Sequence, residues 1–216
     1  MKKSLLQKLP ATSLALVLYY VLPLLGRLDL LFTFMVLVPM ALCAVVYMTQ
    51  PAATADQVNQ WQDRHSMKFL IGATTVSQVS IMIDWAYFHL DHSFQLSWTT
   101  VTGFGLMQFG LGLRLWAIKE LREFFTNHIS IHSDHQLIQT GPFAVLRHPA
   151  YAGAYLLAIG IGLFLSSWVG VILTVTVLGA AYQYRIIQEE QALEARFGEI
   201  YRTYRKKTWK MVTFIW

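Results

Sequence analysis

Six stretches of this chain are apolar for long enough to approach the thickness of a membrane, and that pattern restricts the fold more than any motif does. They run over Ala11–Leu25, Leu30–Thr49, Phe69–Leu90, Leu96–Ile118, Ala150–Leu165 and Val169–Ile187. A helix needs about 20 residues to cross a bilayer. The first stretch therefore needs Gly26 to Leu28 or a thinned bilayer. The last two are joined only by Ser166, Ser167 and Trp168, which predicts a tight helical hairpin. With 13% charged residues in the chain, against roughly 25% in soluble domains, the expected fold is an all-α integral membrane protein with about six transmembrane helices.

Lysine and arginine set the orientation. With both termini in the cytoplasm, only Arg27 of the 17 Lys and Arg residues falls on the far side. The reverse orientation opposes the positive-inside rule almost everywhere. The same rule accounts for the net charge of +5 without nucleic acid, which is not expected as a partner. Lys2, Lys3 and Lys8 before an apolar run resemble a signal peptide, but a second apolar run follows at once, so a retained first helix is expected. Cys43 is the single cysteine and sits in an apolar run, where packing is its expected role.

Candidate chemistry concentrates at helix ends on the cytoplasmic side. Gly141-Pro142 is a turn signal, and the residue before Pro149 is steered away from helical geometry, so a helix is expected to begin at Pro149. Its mouth offers unpaired N–H groups and partial positive charge beside His148, and Arg147 adds a full charge. A ligand carboxylate or phosphate suits that place. Arg185 and Glu189, four residues apart, share one face of a later helix. The same residues also fit a plain membrane account, in which Arg147 and Arg185 anchor helix ends, Pro149 starts a helix and Glu189 and Glu190 are solvated.

Elsewhere the signals are weaker. Asp84 is an ionisable residue in an apolar stretch, hence a functional candidate unless it reaches the interface. Gly103, Gly105, Gly110 and Gly112 suit close helix packing. His128, His132 and His135 have a spacing that admits a metal, but no cysteine or clear acidic partner joins them, and no metal is expected. Leu193, Phe197, Ile200, Tyr201 and Tyr204 recur at helical spacing among arginines. They predict a C-terminal amphipathic interfacial helix with Gly198 as its weak point.

One ordered set of motifs goes further. Leu115-Trp116-Ala117-Ile118, Phe124-Phe125-Thr126, Gly141-Pro142-Phe143, Arg147-His148-Pro149 with Tyr151 and Gly153, Glu189-Glu190, and Phe197-Gly198 with Tyr201 and Tyr204 follow one another. Together they resemble the isoprenylcysteine carboxyl methyltransferase family, to which the phospholipid N-methyltransferases are related. The resemblance covers roughly residues 111–205. It implies a membrane enzyme that uses S-adenosylmethionine, with residues 1–95 as N-terminal transmembrane helices and 96–216 as the methyltransferase core of a single structural domain.

Carried over by position, the cofactor lies in a cytoplasmic pocket formed by His135, Gln136, Leu137, Ile138, Phe143, Arg147, His148, Pro149, Ala150, Tyr151 and Glu189, capped by the C-terminal helix. Arg185 faces the substrate carboxylate, and Phe143 stands where the family usually has tyrosine. Methyl transfer is an in-line displacement governed by positioning. A carboxylate acceptor needs no general base, whereas an amine calls on Glu190 or His148. The catalytic candidates are therefore Arg185 and Glu190. The acceptor implied is a lipidic or prenylated molecule or protein among membrane lipids, most directly an isoprenylcysteine carboxylate. An ethanolamine phospholipid is the alternative, because Arg185 also suits a phosphate. Two other classes remain open at this point: a nicotinamide-dependent membrane reductase of the sterol-reductase type, and a non-catalytic scaffold.

Overall fold

The structure is a computed structural model that describes residues 2–50, 64–121 and 137–211. Eight helices are present among these residues: α1 (Lys2–Leu16), α2 (Phe34–Thr49), α3 (Arg64–Phe88), α4 (Trp98–Leu121), α5 (Pro149–Phe164), α6 (Trp168–Leu173), α7 (Gly179–Phe197) and α8 (Glu199–Lys207). Helix α1 runs on through a π-helical turn at Val17–Val21 and a 3₁₀ turn at Leu22–Leu24, where Pro23 cannot continue the ladder. A second π-helical turn, Thr174–Leu178, joins α6 to α7, so the helix is continuous from Trp168 to Phe197.

Of the six apolar stretches, three become helices long and apolar enough to cross a membrane unaided: His65–Phe88, Trp98–Leu121 and Trp168–Phe197. α2 and α5 are apolar but shorter, at 16 residues each. Helix α5 is largely buried, with Gly153, Leu157, Ile161 and Phe164 all inside, so protein rather than lipid covers most of it. Large apolar side chains such as Leu14, Phe32, Ile71, Phe88, Leu96 and Ile172 are exposed on the outside. An apolar surface that extensive fits an integral membrane protein, whose solvent is lipid.

The α4–α5 pair is the most intimate in the fold. A Cβ added at Gly160 would lie 2.8 Å from both the Gly103 carbonyl and the Met107 nitrogen, and one at Gly110 would lie 2.7 Å from the Leu157 nitrogen. Gly103 and Gly110 on α4 thus meet Gly160 and Gly153 on α5, backbone against backbone. Gly105 and Gly112 face open space, so only half of the sequence's glycine pattern serves packing. Around this seam lie Leu111, Met107, Leu157, Ile161 and Phe164, continuous with Trp85, Ile81, Tyr20 and Val36 of the N-terminal helices.

At the opposite end from Pro149, the chain reverses at residues 165–167, with Ser166 at φ 55. Ser167 is fully buried, caps α6 through the Gly170 N–H, and donates to Asp84 Oδ2 at 2.7 Å. Asp84 therefore answers a buried hydroxyl as well as lying near the end of its helix. The expected single C-terminal amphipathic helix is in fact two. Gly198, at φ 53, ends α7 and begins α8, because few side chains tolerate that conformation.

Candidate active site

The motif that starts at Gly141 begins with a turn that α4 holds in place. Gly141 adopts φ 57, and the Thr140 hydroxyl donates to Glu120 at the end of α4. Residues 141–144 form one 3₁₀ turn, and α5 starts at Pro149 with His148 held outside the helical region at φ −126, ψ 57. The His148 side chain does not cap the helix.

Across this mouth runs a row of polar side chains drawn from α5 and α7. Arg147 Nε donates to Glu190 Oε1 at 2.7 Å, and His148 Nε2 lies 3.3 Å from the same oxygen. His148 Nδ1 is 3.9 Å from Glu189 Oε1. The Tyr151 hydroxyl donates to Glu189 Oε2 at 2.7 Å and accepts from Arg185 Nε at 2.9 Å. Arg185 also donates to Ser66 Oγ of α3 at 3.2 Å. The His148 and Tyr151 rings lie nearly parallel, 11° apart with centroids 5.7 Å distant. Spacing explains the assembly. Positions 185 and 189 share a face of α7, while 148 precedes and 151 lies in the first turn of α5, so two short segments present four groups to one another.

Beside the polar row is a small apolar cluster in which Phe143 and Ala150 meet Ala117 of α4, with Ile138 and Leu121 packed against it. Tyr204 of α8 closes this side by donating to the Phe143 carbonyl at 2.8 Å. Burial pushes the Tyr204 hydroxyl up to about 12, so it remains a neutral donor. This apolar cluster thus lies beside a partly exposed carboxylate, Glu189, and the start of a helix.

The structure brings Ile138, Phe143, His148, Pro149, Ala150, Tyr151, Arg185, Glu189 and Glu190 into this one region. Leu137 lies just before it. His135 and Gln136, with His128 and His132, lie outside the described residues. Arg147 is engaged differently from the expectation. Its guanidinium is turned to Glu190 and to the carbonyls of Arg205 and Thr208. An open groove of about 340 Å³ is lined by Gln139, Glu199, Ile200, Thr203, Tyr204 and Lys207. Ile200 and Tyr204 of the expected amphipathic helix line it, but none of the expected cofactor or acceptor residues does.

Two site residues went unnoticed in the sequence. Arg114 is buried in α4 and donates from Nη1 to the Ala150 carbonyl at 3.0 Å. A cation inside an apolar stretch is as costly as Asp84 and carries the same signal. Ser66 lies in the first turn of α3, before its apolar stretch, and nothing local marks it.

Residues 102–195 match the Isoprenylcysteine carboxyl methyltransferase (ICMT) family model. This segment, under half of the chain, resembles the isoprenylcysteine carboxyl methyltransferase family. Among its relatives, the protein-S-isoprenylcysteine O-methyltransferase of Schizosaccharomyces pombe is 30% identical over 64% of this chain and 58% of its own length. The Homo sapiens protein of the same name is 32% identical over 68% of this chain and 54% of its own. The chain thus spans little more than half the length of the curated relatives it matches. A solved structure of the eukaryotic intramembrane Ras methyltransferase ICMT superposes with a TM-score of 0.52 at 18% identity, covering 99% of this chain and 97% of that one. At that identity the likeness shows the fold alone.

Proposed function

We propose that this protein transfers a methyl group from S-adenosylmethionine to the carboxylate of an isoprenylcysteine-type acceptor at a membrane. The observation that carries this reading is the row Arg185–Tyr151–Glu189, in which a buried guanidinium and a partly exposed carboxylate flank one phenol hydroxyl. Such a row offers a seat for an anionic acceptor beside one for a cationic donor. The names of the yeast and human relatives supply the reaction class.

S-adenosylmethionine supplies a methyl group activated by its sulfonium. Glu189 is assigned the cofactor's ammonium or ribose hydroxyls, the mouth of α5 at Pro149 its carboxylate, and the platform of Ile138, Phe143 and Ala150 its adenine. Leu137 leads into that platform. Arg185 holds and orients the acceptor carboxylate, which is ionised at neutral pH and needs no base. Glu190 already accepts from Arg147 and His148, so its role is to hold those groups rather than to take a proton. The reading places this face toward the cytoplasm, with the lipid tail entering sideways between helices.

The test is incubation of the detergent-purified protein with methyl-labelled S-adenosylmethionine and either N-acetyl-S-farnesylcysteine or phosphatidylethanolamine. Base-labile label on the prenylcysteine is expected. Label on the phospholipid alone would overturn the carboxylate assignment. Oxidation of a nicotinamide cofactor with no methylation of either acceptor would overturn the methyltransferase reading.

A further inference from the structure

We infer that Arg147 is a positioning residue that ties the C-terminal helix to the carboxylate of Glu190, and that residues 208–211 form the strap which keeps it there. The inference rests on the proposed function for its kinetic consequence but not for its structural one.

The strap is stitched to the motif by backbone bonds. Arg147 N–H donates to the Trp209 carbonyl at 2.8 Å, His148 N–H to the Lys210 carbonyl at 3.0 Å, and Trp209 N–H to the Val145 carbonyl at 2.9 Å. Leu146 and Trp209 form a parallel bridge, an isolated piece of β pairing in a helical protein. Met211 then inserts into the core beside Leu146, Tyr155, Tyr182 and Ile186. The Arg147 side chain, 9% exposed, completes the connection, with Nε on Glu190 of α7 and Nη1 on the carbonyls of Arg205 and Thr208 at the end of α8.

Helix C-terminal carbonyls carry partial negative charge and lack partners within their helix, so α8 presents an acceptor pair to one fork of the guanidinium while α7 presents a carboxylate to the other. A planar fork spans both, whereas an ammonium has a single nitrogen. Glu190 in turn fixes the ring of His148 at the mouth of α5. Movement of α8 is thereby transmitted through one side chain to the first turn of α5, and the site is complete only with the strap seated.

Arg147→Lys keeps the charge and loses the fork. Trp209→Pro keeps Arg147 and deletes the N–H that donates to Val145. Thr208, at φ −132 and ψ 150, already has the conformation a residue before proline requires. Both variants, with Gly105→Ala as the control, are compared with the wild type by S-adenosylhomocysteine calorimetry, saturation kinetics and limited trypsinolysis in detergent. Trypsin is expected to cut at the exposed Arg205, Lys206 and Lys207 about tenfold faster in both variants, and kcat to fall about tenfold at saturating cofactor, as loss of a charged hydrogen bond implies. Cofactor-product affinity should stay within about twofold. In a Glu190→Gln background, Arg147→Lys should lower kcat by no more than about a further twofold, since the partner is already altered.

Weaker product binding in Arg147→Lys, with kcat restored at saturation and trypsin cutting unchanged, would make Arg147 a cofactor ligand and overturn the inference. Unchanged cutting in Trp209→Pro would overturn the strap. A wild type that binds no S-adenosylhomocysteine would instead sink the proposed function, leaving the trypsin comparison to decide the strap.

Discussion

At the scale of single residues, the site divides into groups assigned to the donor and a group assigned to the acceptor, and substitutions should separate them. Glu189→Gln removes a charge but keeps an acceptor for Tyr151, so cofactor affinity should weaken about tenfold by calorimetry, whereas unchanged affinity would remove Glu189 from the site. Arg185→Ala should raise KM for the prenylcysteine or lower kcat while cofactor affinity holds. An unaffected rate would dismiss Arg185 as the acceptor's anchor. Most of these residues were legible because the chemistry lies in short local patterns: Arg147-His148-Pro149 fixes a helix start, and a spacing of four fixes a face. Ser66 and Arg114 were not, because their roles depend on which helix lies alongside. The partners of Arg147 were not legible for the same reason, since they are Glu190 and two backbone carbonyls, all more than 40 positions away.

At the scale of elements, the glycine seam and the reversal at residues 165–167 make opposite demands. Gly153→Ala places a methyl 2.7 Å from the Arg114 nitrogen, which only movement of a backbone can relieve. A loss of about 1–3 kcal/mol is expected as a lowered Tm, while Gly105→Ala, facing open space, should be neutral or slightly stabilising. A seam indifferent to Gly153→Ala would mean that α4 and α5 are not in backbone contact. Asp84→Asn retains an acceptor for Ser167 and should be nearly silent. Asp84→Ala leaves a buried hydroxyl unanswered and should cost about 1–3 kcal/mol; equal effects from the two would assign the cost to charge instead. Helix boundaries near proline and glycine were readable from sequence. The two π-helical turns were not, since nothing in Val17–Val21 or Thr174–Leu178 distinguishes their residues from ordinary helix formers.

At the scale of the molecule, the charge distribution predicts which face meets the cytoplasm. With Cys43 replaced by alanine, a single cysteine at Asp91 should react with an impermeant thiol reagent from outside intact cells, and one at Lys206 only after permeabilisation. The reverse pattern would put the site on the other side of the membrane and remove its access to cytoplasmic cofactor. The turn at Thr174–Leu178 has a consequence for comparing this chain with others of its fold. A π-helical turn holds an extra residue within a helix, and here the Tyr155 hydroxyl takes up the Val175 carbonyl at 2.8 Å. A homologue with an unbroken helix reaches the same orientation of Arg185 and Glu189 with one residue fewer after Ser167. Alignments of such chains should therefore open a one-position gap inside residues 174–178 rather than in the connecting loop, and numbering transferred across that point changes by one.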